Sequence, residues 1–445
     1  MTETTNGTDQ QRRWRVLLLA EAANPEWQSV PLIGWSFAEA LRRVCDVHLV
    51  TQVRNSEAIE RRGLAHGIDF TAIDTEDVSG PLYRAGQVLR MGGNRGWTTL
   101  MAMSRFSYPT FEKRAWRTFE TDLRAGAFDV VHRVTPVSPT LPSPIAKRCA
   151  EAGVPFVLGP LNGGLRWPRE FRSIRIRERE FASYLRFTHT WMPGYAETRR
   201  HASAILCGST DTLDQLPSWA KPKAALLPEN AIDPARFTAQ RAPSTDGPLR
   251  VLFVGRLVPY KGVDMLIDAI APLLASNEAT LTIVGDGPER AALEARLRSA
   301  APTHADGVFL GRVPHEQVGE RMASSDLFVS PAVREFGGGA VLEAMAVGCP
   351  PVYVAHGGPM DISTPETGFP LRLQRREGVV AELRQLLVRL TADRDLINTT
   401  GAAARTRVQN LLTWDRKAEQ AQGVYEAVAS SSPLPAYFER RTTGV

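Results

Sequence analysis

Short runs of valine, isoleucine and leucine, each stopping at a glycine, a proline or a turn residue, recur along the whole chain. In the first half they read WRVLLLAEA, CDVHLVTQ, FDVVHRVTP, VPFVLGPLNGG, SAILCGS and AALLPEN. The second half gives LRVLFVGRL, ATLTIVGDG, VFLGRV, DLFVSPA and PPVYVAHGG. A strand with one wet face alternates apolar and polar residues, and these runs do not, so they read as strands buried on both faces. Helical patterns lie between them, which implies parallel βαβ units.

Between the two sets lies AQRAPSTDGP, residues 239–248, polar and without periodicity, which reads as a linker. The expected architecture is α/β: two tandem Rossmann-like, doubly wound domains, residues 14–238 and 249–412, facing each other across a cleft. Residues 413–430 read as a C-terminal helix packing back on the first domain, with a disordered stretch at 1–13 and a loose tail at 431–445. Ligands of such sheets bind outside the carboxyl ends of the strands.

A length of 445 residues suits two or three domains. A formal charge of +5 fits an anionic ligand or a lipid surface without requiring either, and no nucleic-acid partner is expected. Cys45, Cys149, Cys207 and Cys349 are scattered singly, without metal-ligand spacing, and suit a reducing compartment. The run Val16 to Ala20 is too short for a signal peptide, and no run reaches a membrane-spanning length. The expected location is the cytoplasm, with a peripheral place at the inner face of the membrane as a variant.

The motifs concentrate in the second domain. GRLVPYKG places Arg256 and Lys261 at the end of a strand, where two cations suit a pyrophosphate; solvated surface cations are the plain alternative. In REFGGGAVLEAMAVGCP, glycines 337 to 339 precede a helix and bare its first N–H groups to a phosphate. A carboxylate beside them would repel that phosphate, so Glu335 is better placed to accept from neutral hydroxyls. Glu343, in the helix's second turn, suits the vicinal hydroxyls of a ribose. A ligand with a ribose, a pyrophosphate and a further polyol is a nucleotide sugar. The G-x-G of TIVGDGPER is weak by itself and reads more simply as a strand-to-helix turn.

Taken together, GRLVPYKGVDMLIDA, LTIVGDGPERAALE and FLGRVPHEQVGERMASSDLFVSPAVREFGGGAVLEAMAVGCPPVYVAHGGP strongly resemble the retaining glycosyltransferases of family 4, which have the GT-B fold. The likeness covers the whole second domain in order and spacing. It implies that Glu335 contacts the donor sugar's hydroxyls, Glu343 the ribose, and Arg256 and Lys261 the diphosphate. Gly337, Gly338 and Gly339 would face sugar and phosphates, and the turn near Val313 would cradle the base. The triple glycine and Asp361, where a glutamate is usual, depart from the family pattern.

In the first domain the resemblance is looser. It implies that His132 touches the donor sugar, whereas a lone histidine is more often structural. Asn162, Gly163 and Gly164 suit a loop lining the cleft, and Ser29 and Gly34 stand where many members carry a glycine-rich turn. RWPREFRSIRIRERE, residues 166–180, reads as a solvated helix or as an amphipathic one touching an anionic membrane. Residues 85–117 read as a mobile lid over the acceptor or an irregular helix pair.

The resemblance implies a retaining transfer from a nucleotide-diphosphate sugar, with UDP-sugars expected first, to a hydroxyl of a glycan, lipid-linked or small-molecule acceptor. The usual proposal is a front-face attack in which the leaving phosphate takes the acceptor's proton. No metal or other cofactor is expected: the one Asp-x-Asp, Asp393 to Asp395, lies in a polar helical context. The alternatives are a sugar-nucleotide epimerase of the same architecture, a nicotinamide-dependent oxidoreductase and a non-catalytic nucleotide-sugar binder.

Overall fold

The computed structural model describes residues 13–77, 97–177, 190 and 192–439, and the side chains of all of these except 97–106 and 177. One sheet contains β1 (Arg15–Ala20), β2 (Asp46–Gln52), β3 (Phe70–Ile73), β4 (Val130–Thr135), β5 (Phe156–Leu161), β6 (Ala204–Cys207) and β7 (Ala224–Leu226), in the order 3-2-1-4-5-6-7. A second holds β8 (Leu249–Val254), β9 (Ala279–Val284), β10 (Phe309–Gly311), β11 (Leu327–Ser330), β12 (Pro351–Val354) and β13 (Phe369–Leu371), in the order 10-9-8-11-12-13. Every strand pairing in both is parallel. In each sheet the first strand lies inside, between the second and a later one, so the strand order reverses there and a crevice opens at the carboxyl ends.

The unbroken apolar runs are explained by the two cores each strand serves. Val16 and Leu18 of β1 join one cluster, with Phe37, Leu41 and Tyr425, while Leu17 and Leu19 point to the other, with Phe111 and Trp116. Burying each such aliphatic side chain contributes about 1.5–3 kcal/mol. In the second domain Leu249, Val251 and Phe253 fill one face of β8 and Leu252 the other.

The helix Trp414–Ala429 follows the second domain yet belongs to the first domain's core. Ala418, Ala421, Val424 and Tyr425 pack with Val16, Leu18 and Phe37. The chain therefore crosses between domains twice, and the crossings are tied together. Ile232 N–H donates to Leu412 O at 2.8 Å, and Trp414 N–H donates to Ile232 O at 3.0 Å.

Several irregular stretches are better ordered than their composition suggested. In the linker, Arg241 is buried against the second domain, bonding Asp326 at 3.2 Å and Asn398 at 3.0 Å. Of the tail expected to be loose, Phe438 is buried in the first domain's core, with Leu434 and Tyr437 packed against it. Residues 97–124 form one helix whose Tyr108, Phe111, Trp116 and Phe119 are buried, which makes this part of the expected lid a core element. The expectations for residues 1–12, 85–96, 178–180 and 440–445 lie outside the described residues. No helix among the described residues is long and apolar enough to cross a membrane.

Candidate functional site

The carboxyl ends of β8 and β9 come together without side chains between them. A Cβ at Gly285 would lie 1.9 Å from Gly255 O, and one at Gly287 would lie 2.3 Å from Leu257 O. The G-x-G of residues 285–287 is thus a close-packed strand-to-helix turn. After β8 the chain turns through Pro259–Lys261 to Gly262, where a φ of 69° and a Cβ that would lie 2.4 Å from Pro331 O exclude a side chain. This turn brings Lys261 to the end of β11.

There the Lys261 ammonium donates to a carboxylate oxygen of Glu335, and both side chains are largely shielded from solvent. Burial pulls the lysine's pKa down, but the charge and hydrogen bond of Glu335 outweigh it, so Lys261 stands above its ordinary value and remains a cation. Arg256 is exposed, and among the described residues its side chain makes no hydrogen bond or ion pair.

The three glycines after Glu335 differ. Gly337 has no room for a side chain, because a Cβ there would lie 2.3 Å from Glu229 Oε1. Gly338 has a φ of 59° and caps the helix Gly339–Ala346 without any side-chain hydrogen bond to its first amides. A Cβ at Gly339 would meet nothing within 4 Å, so this end of the helix opens on free space. An uncapped helix start that faces open space favours an anion. One turn further, Glu343 accepts from His315 Nε2 at 3.1 Å. That hydrogen bond raises the His315 pKa above its ordinary value, against an opposing pull from burial. Val313 lies two residues before His315, half-buried against the core.

In the first domain the structure corrects two assignments. His132 lies mid-strand on β4 and is fully buried. Its Nδ1 is 2.6 Å from the Tyr425 hydroxyl and its Nε2 is 2.7 Å from Gly159 O. Burial pushes its pKa down to about 4, so it is a neutral, doubly bonded core residue with neither nitrogen open to a sugar. Gly34 is also a packing residue: a Cβ there would lie 2.1 Å from Ala22 O. Ser29 caps the helix Val30–Val44 with φ 66° and is exposed. Gly163 and Gly164 have φ values of 153° and 80°, and Thr212 and Gln215 bond their backbone. Asp393, in the only Asp-x-Asp, caps its own helix by accepting from Leu396 N at 3.1 Å.

The two rows of loops meet through named contacts. Asn162 Nδ2 reaches Phe336 O at 3.3 Å, and Asn230 Nδ2 reaches Gly337 O at 3.2 Å. Thr210 Oγ1 donates to Asp361 Oδ1 at 2.5 Å, and His356 Nε2 lies 3.0 Å from Arg166 O. Arg334 is sandwiched between Trp167, at 4.8 Å, and Phe336, at 4.7 Å. Phe171 is buried in the second domain's core, with Trp167 and Ile174 beside it. The apolar side of residues 166–177 is therefore covered by the second domain, which leaves Ile176 as its exposed large apolar residue and removes the ground for a membrane-facing helix there.

Glu229 and His315 escaped the sequence reading. Glu229 follows β7 in LPEN and is buried; burial pushes its pKa up to about 7, with Asn162 opposing. Lys417, also buried, is pushed down to about 7, with the charge of Glu229 opposing. A polar pair directly after an apolar run was the available signal for Glu229.

Residues 236–397 match the family Glycosyl transferases group 1. Over 240 residues the chain is 32% identical to a GDP-mannose-dependent monoacylated alpha-(1-6)-phosphatidylinositol monomannoside mannosyltransferase of Corynebacterium glutamicum, covering 52% of this chain and 59% of that protein. It is 34% identical over 242 residues to a GDP-mannose-dependent alpha-mannosyltransferase of Mycobacterium tuberculosis, covering 53% and 59%. The chain thus spans less than two thirds of the length of these curated relatives. Sucrose-phosphate synthase from Thermosynechococcus elongatus superposes with a TM-score of 0.56 over 94% of this chain and 100% of that one, at 17% identity. At that identity the likeness establishes the fold alone, and the fold is GT-B.

Proposed function

We propose that this chain, whose residues 236–397 match the glycosyl transferases group 1 family, transfers a glycosyl group from a nucleoside diphosphate sugar to an acceptor hydroxyl. The transfer retains the anomeric configuration and needs no metal. The observation that carries this reading is the meeting of Lys261 and Glu335 beside the uncapped helix start at Gly339, with Glu343 one turn on. A cation and free amides suit a diphosphate, and two carboxylates suit hydroxyls.

The anomeric carbon loses its bond to the β-phosphate oxygen and gains one to the acceptor oxygen on the same face. The acceptor's proton passes to the departing phosphate. The protein's part is positioning and charge stabilisation: Lys261, Arg256 and the helix amides face the oxygen on which charge develops. Glu335 exchanges its bond to Lys261 for bonds to the sugar, which releases the ammonium toward the diphosphate. His315, bonded to Glu343, holds that carboxylate toward the ribose.

The relatives' names move the first donor to try from a uridine sugar to GDP-mannose. The acceptor class is a glycan, lipid-linked or small-molecule hydroxyl. Four buried free thiols support a reducing, cytoplasmic setting. The test is nucleotide release from GDP-mannose, UDP-glucose, UDP-N-acetylglucosamine and ADP-glucose, in EDTA, by the wild type and Glu335→Ala. Release from one donor, lost in the variant, is expected. Sugar conversion without release, or donor binding without turnover on any acceptor, would overturn the proposal.

A further inference from the structure

Glu229 occupies the point where the first domain, the glycine turn and the C-terminal helix meet. Asn162 Nδ2 donates to Glu229 Oε1 at 2.6 Å and to Phe336 O at 3.3 Å. Asn230 Nδ2 repeats the pattern, reaching Glu229 Oε1 at 3.4 Å and Gly337 O at 3.2 Å. On the other side, a Cβ at Gly208 would lie 2.4 Å from Glu229 Oε2. Lys417 bonds the neighbouring Pro228 O, and its charge faces the carboxylate. The group therefore fills a slot bounded by two glycines and two asparagines, with the Lys417 charge acting on it. Burial disfavours the charged form of this group, and the two asparagine donors oppose that cost.

Its position explains what it does. Both asparagine amides donate to the same atom, Oε1, which accepts whether or not Oε2 carries a proton, so it turns the N–H side of both amides toward itself. The same amides can then donate to two successive carbonyls of the opposite domain. Those carbonyls belong to the residues immediately after Glu335.

We propose that Glu229 is a positioning residue: through Asn162 and Asn230 its carboxylate seats Phe336 and Gly337 against the first domain, and so fixes the aim of Glu335 and of the helix start at Gly339. This rests on the reading of Glu335 and the glycine turn as the donor site. A neutral carboxamide at position 229 can donate as well as accept, so it no longer dictates how the two asparagines point.

The experiment uses the full chain and Glu229→Gln, which keeps the shape. It measures thermal midpoint, nucleotide-release kinetics with the donor the wild type uses, and amide hydrogen exchange across residues 334–342. The expected result is an unchanged midpoint, a kcat about 10- to 100-fold lower, a donor KM little changed, and faster exchange confined to Phe336–Gly339. Wild-type kcat with wild-type exchange overturns the proposal. So does a fall in kcat that accompanies a lowered midpoint and faster exchange throughout, because that marks a purely structural group. If the wild type releases no nucleotide from any donor, the transferase reading fails on its own. Local exchange in Glu229→Gln then decides the positioning role.

Discussion

Lys261 and Glu335, 74 positions apart in the chain, hold each other by a salt bridge. Each satisfies the other while the site is empty, so neither is left as a shielded, uncompensated charge. A diphosphate and a sugar would replace that single bond by two sets of contacts, one for each partner.

The first prediction concerns the cations. Lys261→Met and Arg256→Met should each lower kcat about 100-fold, the usual cost of removing one donor from a developing oxyanion. Donor KM should change little, because the contacts strengthen as the diphosphate departs. Steady-state kinetics that show only a raised KM would sink this account.

His315 should titrate above its ordinary value of 6.5, because Glu343 bonds it. A raised folded-state pKa means that the pair's contribution to stability is complete below 6.5 and disappears as the pH climbs through the folded value. NMR of the imidazole resonances should show the shift, and Glu343→Gln should bring it back down. A histidine titration unmoved by that substitution would refute the coupling.

His132 behaves oppositely. Its folded pKa of about 4 lies below the ordinary 6.5, so the unfolded chain takes up a proton that the folded one refuses. Stability should be full above pH 6.5 and fall by about 3 kcal/mol as the pH drops toward 4, from 1.36 kcal/mol per pKa unit. Denaturant melts across this window should show the slope, reduced in His132→Gln. The folded fraction of that variant should keep the wild-type donor KM, and a raised KM would restore a sugar contact.

Gly34→Ala should act on stability and not on acceptor choice. Its new methyl group would lie 2.1 Å from Ala22 O, and overpacking of that kind costs about 1–3 kcal/mol. A wild-type melting temperature with altered acceptor preference would return Gly34 to the cleft.

The architecture was readable from sequence because the signal is repeated and redundant. Leu17 to Leu19 serve two cores at once, and that demand leaves a run no other element would need. The second domain's residues were readable for a different reason: glycine turns and charged groups sit at strand ends, a few positions apart. Lys261 and Glu335 were each visible, but their mutual bond was not, since it depends on how β8 and β11 lie side by side. His132 misled because β4 carries it inward, where Tyr425, 293 positions later, supplies its partner. Glu229 stayed hidden because a single acid after an apolar run looks like any loop residue until Gly337 is found against it. Residues 239–248 hold no helix or strand, as a linker should, but composition does not register that Arg241 within them, and Phe438 in the tail, each have a buried place waiting.

The late return of the chain to its first domain imposes an order on synthesis. The ribosome releases residues 13–226, with all seven strands of the first sheet, long before Tyr425 and Lys417 exist. At about 5–20 residues per second the gap lasts on the order of 10–40 s. Throughout it, the faces of Val16, Leu18 and Phe37 that Tyr425 later covers are bare, and His132 lacks its phenolic partner. The core of the first domain is therefore completed only when the helix Trp414–Ala429 packs onto it, after the second domain has been made.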